Sequence, residues 1–337
     1  MRWLLVLLGV VTLFFHGSNA KQFEHWYPFY RWTLTREGAA PTCLQNYEDA
    51  VEVLGAQHSM TCKSLVSCIY NNTKEIDKAD MSSALVLLGL APTVLGQMGP
   101  TLNHKAQLCF QSPILGLLCV VGAPSIAFGM PWAKTNPIKP TTGNAFASGE
   151  MWCFSWINWI FNRLFCRRMQ KPAQQEEPPT QSIWILLLKY SIAAGAAVNV
   201  FLNAWTLSRQ TIVSWKCTSS YLELLWVSTT LVPICLAVAT SVERSEDTPS
   251  GSKDRPLWPR IFYSLSNIAG AVHVLFGTVM LSSVLFIGTL DALGVVGRLT
   301  ASTIVCQFIT ALELERVEDI SQQKSQSMWG ILARDPT

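Results

Sequence analysis

The chain has 337 residues, of which 50% are hydrophobic and only 14% are charged, and its mean hydropathy is +0.27. Soluble domains carry about 25% charged residues, so this deficit indicates helices that face lipid and need no polar surface. The formal net charge of +3 is too small for the electrostatic footprint of a nucleic-acid-binding protein, which excludes nucleic acid as a partner.

The N-terminus has the pattern of a secretory signal peptide. Arg2 precedes a run of apolar or near-apolar residues from Trp3 to Phe15, and small residues follow up to Ala20. This run is too short to span about 30 Å of hydrocarbon, and its basic start and small-residue end are typical of a cleaved signal. We therefore predict cleavage after Ala20, with an uncleaved signal anchor as the alternative. A cleaved signal peptide and an uncleaved signal anchor would both deliver the following residues to the lumen or cell exterior.

The next segment, residues 21–80, is polar and holds Cys43, Cys62 and Cys68. In an oxidising compartment disulfides are the default use of such thiols, and no CxxC or HxxxH pattern indicates a zinc site. Asn71 begins the only N-x-S/T sequon in the chain, which predicts N-glycosylation there. We interpret this segment as a small disulfide-bearing ectodomain, through which partner proteins could bind.

Three weaker hydrophobic segments follow the ectodomain. Ser82–Gly99 and Ser112–Met130 carry no charge, but both are short and each contains an internal proline. Proline is tolerated in a membrane helix when neighbouring groups bond the freed carbonyl. The third segment, Met151–Phe165, is rich in Trp and Phe and is either a short span or a helix lying in the interface. A linker rich in Pro, Gln and Glu follows at residues 174–181.

Four stronger membrane segments occupy the second half of the chain, namely Ser182–Leu207, Tyr221–Ser241, Ile261–Leu290 and Ala292–Leu312. The predicted fold is therefore an all-α membrane protein, a bundle of five to seven transmembrane helices behind a small ectodomain. The predicted divisions are 1–20 (signal), 21–80 (ectodomain), 81–130 (two short membrane segments), 131–181 (loop with the Trp-rich helix), 182–312 (four spans) and 313–337 (cytosolic tail).

The distribution of Lys and Arg predicts the orientation, because cytoplasmic loops collect positive charge. Seven positive residues fall in two of the loops, namely Arg167, Arg168, Lys171, Arg244, Lys253, Arg255 and Arg260, whereas Arg209 and Lys216 alone lie in the loop 208–220. The first two loops are thus predicted to be cytosolic and the third external. An odd number of crossings must then precede residue 166. The total is five if one Pro-interrupted segment is re-entrant and seven if the Trp-rich helix spans, and we favour seven.

Three stretches carry a resemblance to a known group of proteins. They are KADMSSALVLLGLAPTVLGQMGP, KYSIAAGAAVNV and FGTVMLSSVLFIGTLDALGVVGRLTASTIVCQFI. They resemble a family of uncharacterised fungal multi-pass membrane proteins, in which LLGL-x-PT-x-L-like, GAVANV-like and LSSLLFI-x-x-x-DA-like stretches mark an early, a central and a late span. The resemblance covers most of residues 78–312. It implies the architecture and no catalytic residue.

Polar residues inside membrane segments are candidate functional residues. Asn199 and Asn203 are four apart and share a helix face with Gly195 and Ser191. This face could coordinate a solute or ion. Small residues and Asn also allow helices to approach closely and to form hydrogen bonds across the interface, and we favour this packing role.

Two further sites have alternative interpretations. His273 lies between Gly270 and Gly277 on one face and could relay a proton, sense pH or bind a metal. One histidine does not make a metal site, so we favour a packing role. Asp291 and Arg298 share a face if their helix is continuous, and they could pair there. Alternatively, Asp291 lies in an external turn while Arg298 extends its charge towards the interface.

The ectodomain has an odd number of cysteines, and Cys217 in the external loop 208–220 would complete two pairs. We predict that Cys217 bonds one of Cys43, Cys62 and Cys68, and that the other two form a bridge within the ectodomain. The sequence leaves all three connectivities open.

The chain lacks the motifs of the common catalytic sites: GxSxG, GxxxxGK[ST], HExxH, GxGxxG and paired DxxD acids. We therefore expect no enzyme, metal site or cofactor. The predicted function is a surface or secretory-pathway scaffold or sensor, in the plasma membrane or another secretory-pathway membrane, with the N-terminus outside and the C-terminus in the cytosol. The alternatives are a small-solute channel or carrier that uses Asn199, Asn203 and His273, and a seven-span receptor. The lipid bilayer is the predicted partner in every case.

Overall fold

The structure is a computed structural model that describes residues 26–28, 30–31, 39–54, 59–126, 183–215, 221–246 and 258–332. The predicted signal peptide with its cleavage site, the Trp-rich segment, the linker and Cys217 lie outside these residues. The chain divides into two units, residues 1–131 with 191–314 and residues 132–190 with 315–337. Only the ends of two helices are described in the second unit, so the following account concerns the first.

The described residues form ten α-helices and a two-stranded antiparallel ladder. The helices are α1 (Ala39–Leu54), α2 (Ser59–Asn72), α3 (Glu75–Met98), α4 (Leu102–Gln111), α5 (Pro113–Gly122), α6 (Ile183–Gln210), α7 (Leu222–Thr229), α8 (Leu231–Glu246), α9 (Trp258–Leu281) and α10 (Thr289–Leu332). The strands are β1 (Ile212–Val213) and β2 (Val284–Leu285), with Ile212 opposite Leu285.

Five segments of the described chain are long and apolar enough to cross a membrane. They are α3, α6, the α7–α8 pair over Leu222–Ala239, α9, and α10 over Thr289–Val317. Their outward faces carry large exposed apolar side chains, such as Val86, Leu202 and Val272, which a lipid environment would cover. The chain is therefore an integral membrane protein of helical type, as its composition predicts.

The structure moves several of the predicted segment boundaries. The first Pro-interrupted segment is part of a longer helix, because α3 begins at Glu75 and has acidic residues in its first turn. The second is the ten-residue helix α5, whose length of about 15 Å is half of a span. The predicted run Ile261–Leu290 is broken, since α9 ends at Leu281 and α10 begins at Thr289.

The main core lies between the long helices. Leu88 and Leu95 of α3, Val200 of α6, Trp226 of α7 and Leu299 of α10 belong to one buried cluster. Gly277 of α9 supports this packing, because a Cβ atom at that position would collide with the Trp226 ring. Between membrane helices, such a close fit stabilises the bundle through van der Waals packing.

A second, smaller core joins the cysteine-bearing helices to one end of the bundle. Tyr30, Cys62 and Ile69 pack there with Ile212 of β1 and with Phe286, which follows β2. The Tyr30 hydroxyl donates to the Asp77 carbonyl oxygen at 3.0 Å, and burial raises the pKa of this phenol, so Tyr30 remains a neutral donor. We call this region the cysteine-bearing end.

Phe286 adopts a positive φ of 64° at this end, an uncommon conformation for a bulky residue. Its ring is held edge-on by Trp26 and Tyr30, at centroid distances of 5.4 and 5.9 Å. The two aromatic contacts stabilise the turn that connects β2 to α10. Beside this turn the Thr289 backbone N–H donates to Asp80 Oδ2 at 3.1 Å, which caps the start of α10 with a side chain from α3.

The cysteine-bearing end contains a disulfide between Cys43 of α1 and Cys68 of α2, with the Cα atoms 5.9 Å apart. The expected bridge within the ectodomain is thus Cys43–Cys68, which leaves Cys62 for Cys217 in the predicted connectivity. Cys62 is also disulfide-bonded. Asn71 is exposed at the end of α2, and its glycosylation stays a prediction.

Candidate functional site

Three prolines interrupt the regular backbone hydrogen bonding within the bundle. Pro92 lies inside α3, and Pro124 comes two residues after the end of α5. Pro233 lies in the first turn of α8, where it lacks the backbone N–H that would bond back towards α7, so the helical hydrogen bonding is interrupted at Thr230, although the Thr230 backbone keeps helical φ and ψ angles of −56° and −29°. The three interruptions meet, because the Ser125 hydroxyl donates to the Pro92 carbonyl oxygen and the Thr230 hydroxyl donates to the Pro124 carbonyl oxygen at 2.7 Å.

The loop after α5 presents three successive carbonyl groups to the other helices. Lys105 of α4 donates from its Nζ to the carbonyl oxygens of Ala123, at 2.6 Å, and of Ser125, at 2.7 Å. The carbonyl between them belongs to Pro124, which accepts from Thr230 and from His273. No regular helix or strand satisfies these groups, so side chains from three other elements replace the missing backbone donors.

His273 of α9 is 4% exposed and is bonded through both ring nitrogens. Its Nε2 lies 2.7 Å from the Pro124 carbonyl oxygen, which can only accept, so Nε2 carries the proton and donates. Nδ1 lies 3.1 Å from the Thr229 hydroxyl. The imidazole ring also stacks on Trp226 with a centroid distance of 5.7 Å and an interplanar angle of 9°.

We call this cluster the helix-break junction and define it by the loop Ala123–Ser125, Lys105, Thr230 and His273. The loop approaches α3 closely, since a Cβ atom at Gly96 would lie 3.0 Å from the Ile126 carbonyl oxygen. The junction combines a buried ammonium group, an imidazole, hydroxyl groups and non-helical carbonyls. Such a set binds ions and small polar solutes through hydrogen bonds, whereas it contains no carboxylate or activated nucleophile for covalent chemistry.

The two asparagines of α6 pack against α10, as predicted. Asn203 is 3% exposed and donates from Nδ2 to the Val295 carbonyl oxygen at 2.9 Å. Asn199 donates to the Ser302 hydroxyl at 2.8 Å and to the Arg298 carbonyl oxygen at 3.0 Å. The buried part of the predicted face is shorter than the sequence predicts. Ser191 and Gly195 continue the four-residue spacing of Asn199 and Asn203 but are exposed.

Replacing Asn199 and Asn203 together with leucine is expected to lower the free energy of unfolding by about 1 kcal/mol per lost interhelical bond. Thermal unfolding of the purified protein in detergent measures this. Asn267 of α9 is the matched control, because its amide bonds to the Tyr263 carbonyl of its own helix. Asn267→Leu should change the stability by less than about 0.5 kcal/mol. An unchanged stability of the double variant would exclude a packing role.

Asp291 lies in the first turn of α10, where a carboxylate is favoured by the helix dipole. Arg298, two turns later, is exposed on the outer surface. The helix is continuous through both residues, so the shared face that a pair requires is present, and the choice between pairing and separate roles stays a prediction. On the neighbouring α7, Glu223 is 3% exposed and its Oε2 accepts from the Ser208 hydroxyl at 2.9 Å.

Four cysteines of the described chain are free thiols: Cys109, Cys119, Cys235 and Cys306. Cys306 of α10 packs closely on Gly122 of α5, because a Cβ atom at Gly122 would lie 2.6 Å from Cys306 Sγ. Within the described residues no three His, Cys, Asp or Glu side chains are grouped closely enough to hold a metal ion. The hydrogen-bond partners of the His273 ring are hydroxyl and carbonyl groups.

Lys105 is the component of the junction that the sequence analysis missed. It lies in a polar ten-residue stretch between two hydrophobic segments, which looks like a loop. One sequence signal was present: no Asp or Glu occurs between Asp80 and Glu150, so a lysine buried in this part of the chain has no local carboxylate to pair with. The hydrogen bonds that hold it are to backbone carbonyls, which a sequence does not display.

Comparisons of the chain with protein-family models, with curated proteins and with solved structures yield no match.

Proposed function

We propose that this protein is a small-solute carrier or channel of a secretory-pathway membrane, with its solute site at the helix-break junction. The observation that supports this proposal is the non-helical loop Ala123–Ser125 inside the bundle, which contacts two helical segments at points where prolines interrupt their hydrogen bonding, Pro92 and Thr230. Non-helical backbone at membrane depth occurs where it is buried in protein or lines a cavity. In many secondary transporters broken helices of this kind surround the substrate and ion sites.

The proposal gives α4 and α5 the role of a re-entrant hairpin. Each has ten residues, about 15 Å, which reaches about half of the hydrocarbon thickness. This arrangement has five spans in place of the seven favoured from the sequence, and an odd number of spans puts the N-terminal and C-terminal sides of the membrane domain on opposite sides of the membrane. The positive loops at residues 167–171 and 244–260 then place the cysteine-bearing end outside.

Solute recognition is assigned to His273, Thr230 and Lys105, with Asn199 and Asn203 as packing residues. The imidazole and hydroxyl groups offer both donors and acceptors, and Trp226 provides an apolar wall beside them. No catalytic residue is assigned. The scaffold or sensor interpretation stays the alternative, and one feature favours it: the polar groups of the junction already bond to one another.

Reconstitution into proteoliposomes tests the proposal. Uptake of a panel of labelled amino acids, sugars, organic acids and organic cations is measured for the wild type, His273→Ala and Thr230→Val. A carrier shows saturable uptake of at least one solute, reduced about tenfold or more in both variants, which corresponds to about 1.4 kcal/mol or more.

Asn267→Ala is the control for this experiment, because Asn267 lies on the same helix as His273 but bonds only within that helix in the structure. Its uptake should equal that of the wild type. Absence of uptake for the whole panel, in vesicles that contain folded protein by thermal unfolding, favours the scaffold interpretation over the carrier. Uptake that persists in both junction variants would place the solute site elsewhere.

A further inference from the structure

Lys105 is held in an unusual way for a buried cation. Its side chain is 1% exposed, and its ammonium group bonds to the Ala123 and Ser125 carbonyl oxygens at 2.6 and 2.7 Å. In the described part of the chain Lys105 forms no ion pair. Buried charges are ordinarily paired with an opposite charge, so carbonyl dipoles replace a carboxylate here.

The position of these carbonyls explains why they can hold a cation. They follow the C-terminal end of α5, where the helix dipole places partial negative charge and where the last carbonyls lack helical partners. Ala123, Pro124 and Ser125 extend this acceptor-rich region into the loop. In broken membrane helices, unwound carbonyls and half-helix C-terminal ends of this kind coordinate monovalent metal cations.

We propose that the Ala123 and Ser125 carbonyls form a monovalent-cation site, and that its resident cation in this protein is the ammonium group of Lys105. We call these two carbonyls and the space filled by the Lys105 ammonium the carbonyl cradle. The protein thus supplies from its own chain the charge that sodium or potassium supplies at a comparable helix break. The proposal rests on contacts within the described residues and applies whether or not the protein transports a solute.

The cradle also joins separate parts of the fold. Lys105 belongs to α4, whereas the carbonyls belong to the loop after α5, and the Ser125 hydroxyl continues the network to Pro92 of α3. Removing the ammonium therefore leaves two buried carbonyls without donors and loosens the hairpin from α3. A small external cation that enters the vacated space would restore these interactions.

Chemical rescue of Lys105→Ala tests the proposal. Thermal unfolding in detergent is measured in the chloride salts of sodium, potassium, methylammonium and N-methyl-D-glucamine at equal concentration. The wild type should unfold at the same temperature in all four. Lys105→Ala should unfold at a lower temperature in N-methyl-D-glucamine, which is too large for the cradle. It should recover by about 3 °C or more in at least one of the small cations, with methylammonium the best match to the missing group.

Two control variants make the result specific. Lys105→Met fills most of the space without a charge, so it should be destabilised and unaffected by the choice of cation. Lys78→Ala removes an exposed lysine that pairs with Glu75 at 2.8 Å, and it should show no cation dependence beyond that of the wild type. The proposal is wrong if Lys105→Ala unfolds at one temperature in all four salts, or if Lys105→Met is as stable as the wild type.

A consequence for transport follows, and this part alone rests on the proposed function. With its cation supplied internally, the wild-type carrier should take up solute at the same rate when external sodium and potassium are replaced by N-methyl-D-glucamine. Cation-dependent uptake by the wild type would contradict this consequence. Absence of any uptake together with cation rescue of Lys105→Ala would remove the carrier proposal and leave the carbonyl cradle standing.

Discussion

Replacing Gly116 with alanine is expected to destabilise the protein by about 2–3 kcal/mol, because α4 and α5 cross at this glycine. A Cβ atom at Gly116 would lie 2.5 Å from Cys109 Cα and 2.7 Å from Cys109 N. Both are backbone atoms of α4, so no side-chain rotation relieves the collision and the two helices must separate. The separation would also draw Lys105 on α4 away from the carbonyls that follow α5.

The matched control for this prediction is Gly294→Ala. Gly294 lies in α10 and a Cβ atom there meets nothing within 4 Å. Alanine is favoured over glycine inside a helix by roughly 0.5–1 kcal/mol, so this variant should be slightly more stable than the wild type. Thermal unfolding of both variants in one detergent decides the matter. Equal unfolding temperatures for Gly116→Ala and the wild type would show that the α4–α5 crossing is not close-packed.

The sequence predicts the long spans well because they depend on local composition. The predicted Ser182–Leu207 corresponds to α6, and Tyr221–Ser241 covers α7 and much of α8. The sequence predicts the region of α3–α5 less well, because apolar composition does not reveal whether a segment crosses the whole membrane or only part of it. The uncharged segment Ser112–Met130 has the composition of a span, yet Pro113 starts α5 and the helix ends at Gly122, ahead of Pro124. Proline placement therefore decides the helix length there.

The candidate site is only partly visible in the sequence. His273 stands out as a histidine in an apolar run, but its partners Thr229, Thr230 and the Pro124 carbonyl come from distant parts of the chain. Lys105 does not stand out, because the carbonyls that bind it are backbone groups. The sequence identifies polar residues within apolar segments, whereas the contacts that bring Lys105 and His273 to the same loop depend on the tertiary fold.

A disulfide between Cys62 and Cys217 is the second prediction with a large expected effect. Cys43 pairs with Cys68, and Cys62 is itself disulfide-bonded. The free thiols of the described chain exclude Cys109, Cys119, Cys235 and Cys306 as its partner. Three cysteines lie outside the described residues, Cys153, Cys166 and Cys217.

Position distinguishes Cys217 from the other two. Cys62 packs in the same small core as Ile212 of β1. Cys217 follows Ile212 by only five residues, and five residues of extended chain reach at most about 18 Å, so Cys217 must lie within that distance of Ile212. The loop that contains Cys217 is also the one that the distribution of positive charges predicts to be outside, on the same side as is predicted for the ectodomain cysteines. Cys166, in contrast, adjoins Arg167 and Arg168 in a loop that the same argument places in the cytosol, where disulfides are rare.

The bridge would tie α2 to the loop between α6 and α7 and would close a long loop of the chain. Cys217→Ser is therefore expected to lower the free energy of unfolding by about 2–4 kcal/mol. Cys235→Ser, which alters a free, half-buried thiol, is the control and should cost less than about 1 kcal/mol. Peptide mapping without reduction should recover the Cys62 peptide joined to the Cys217 peptide. A Cys62 peptide joined to Cys153 or Cys166 would overturn the pairing, and a Cys217 thiol that an impermeant reagent alkylates only after permeabilisation would overturn the orientation as well.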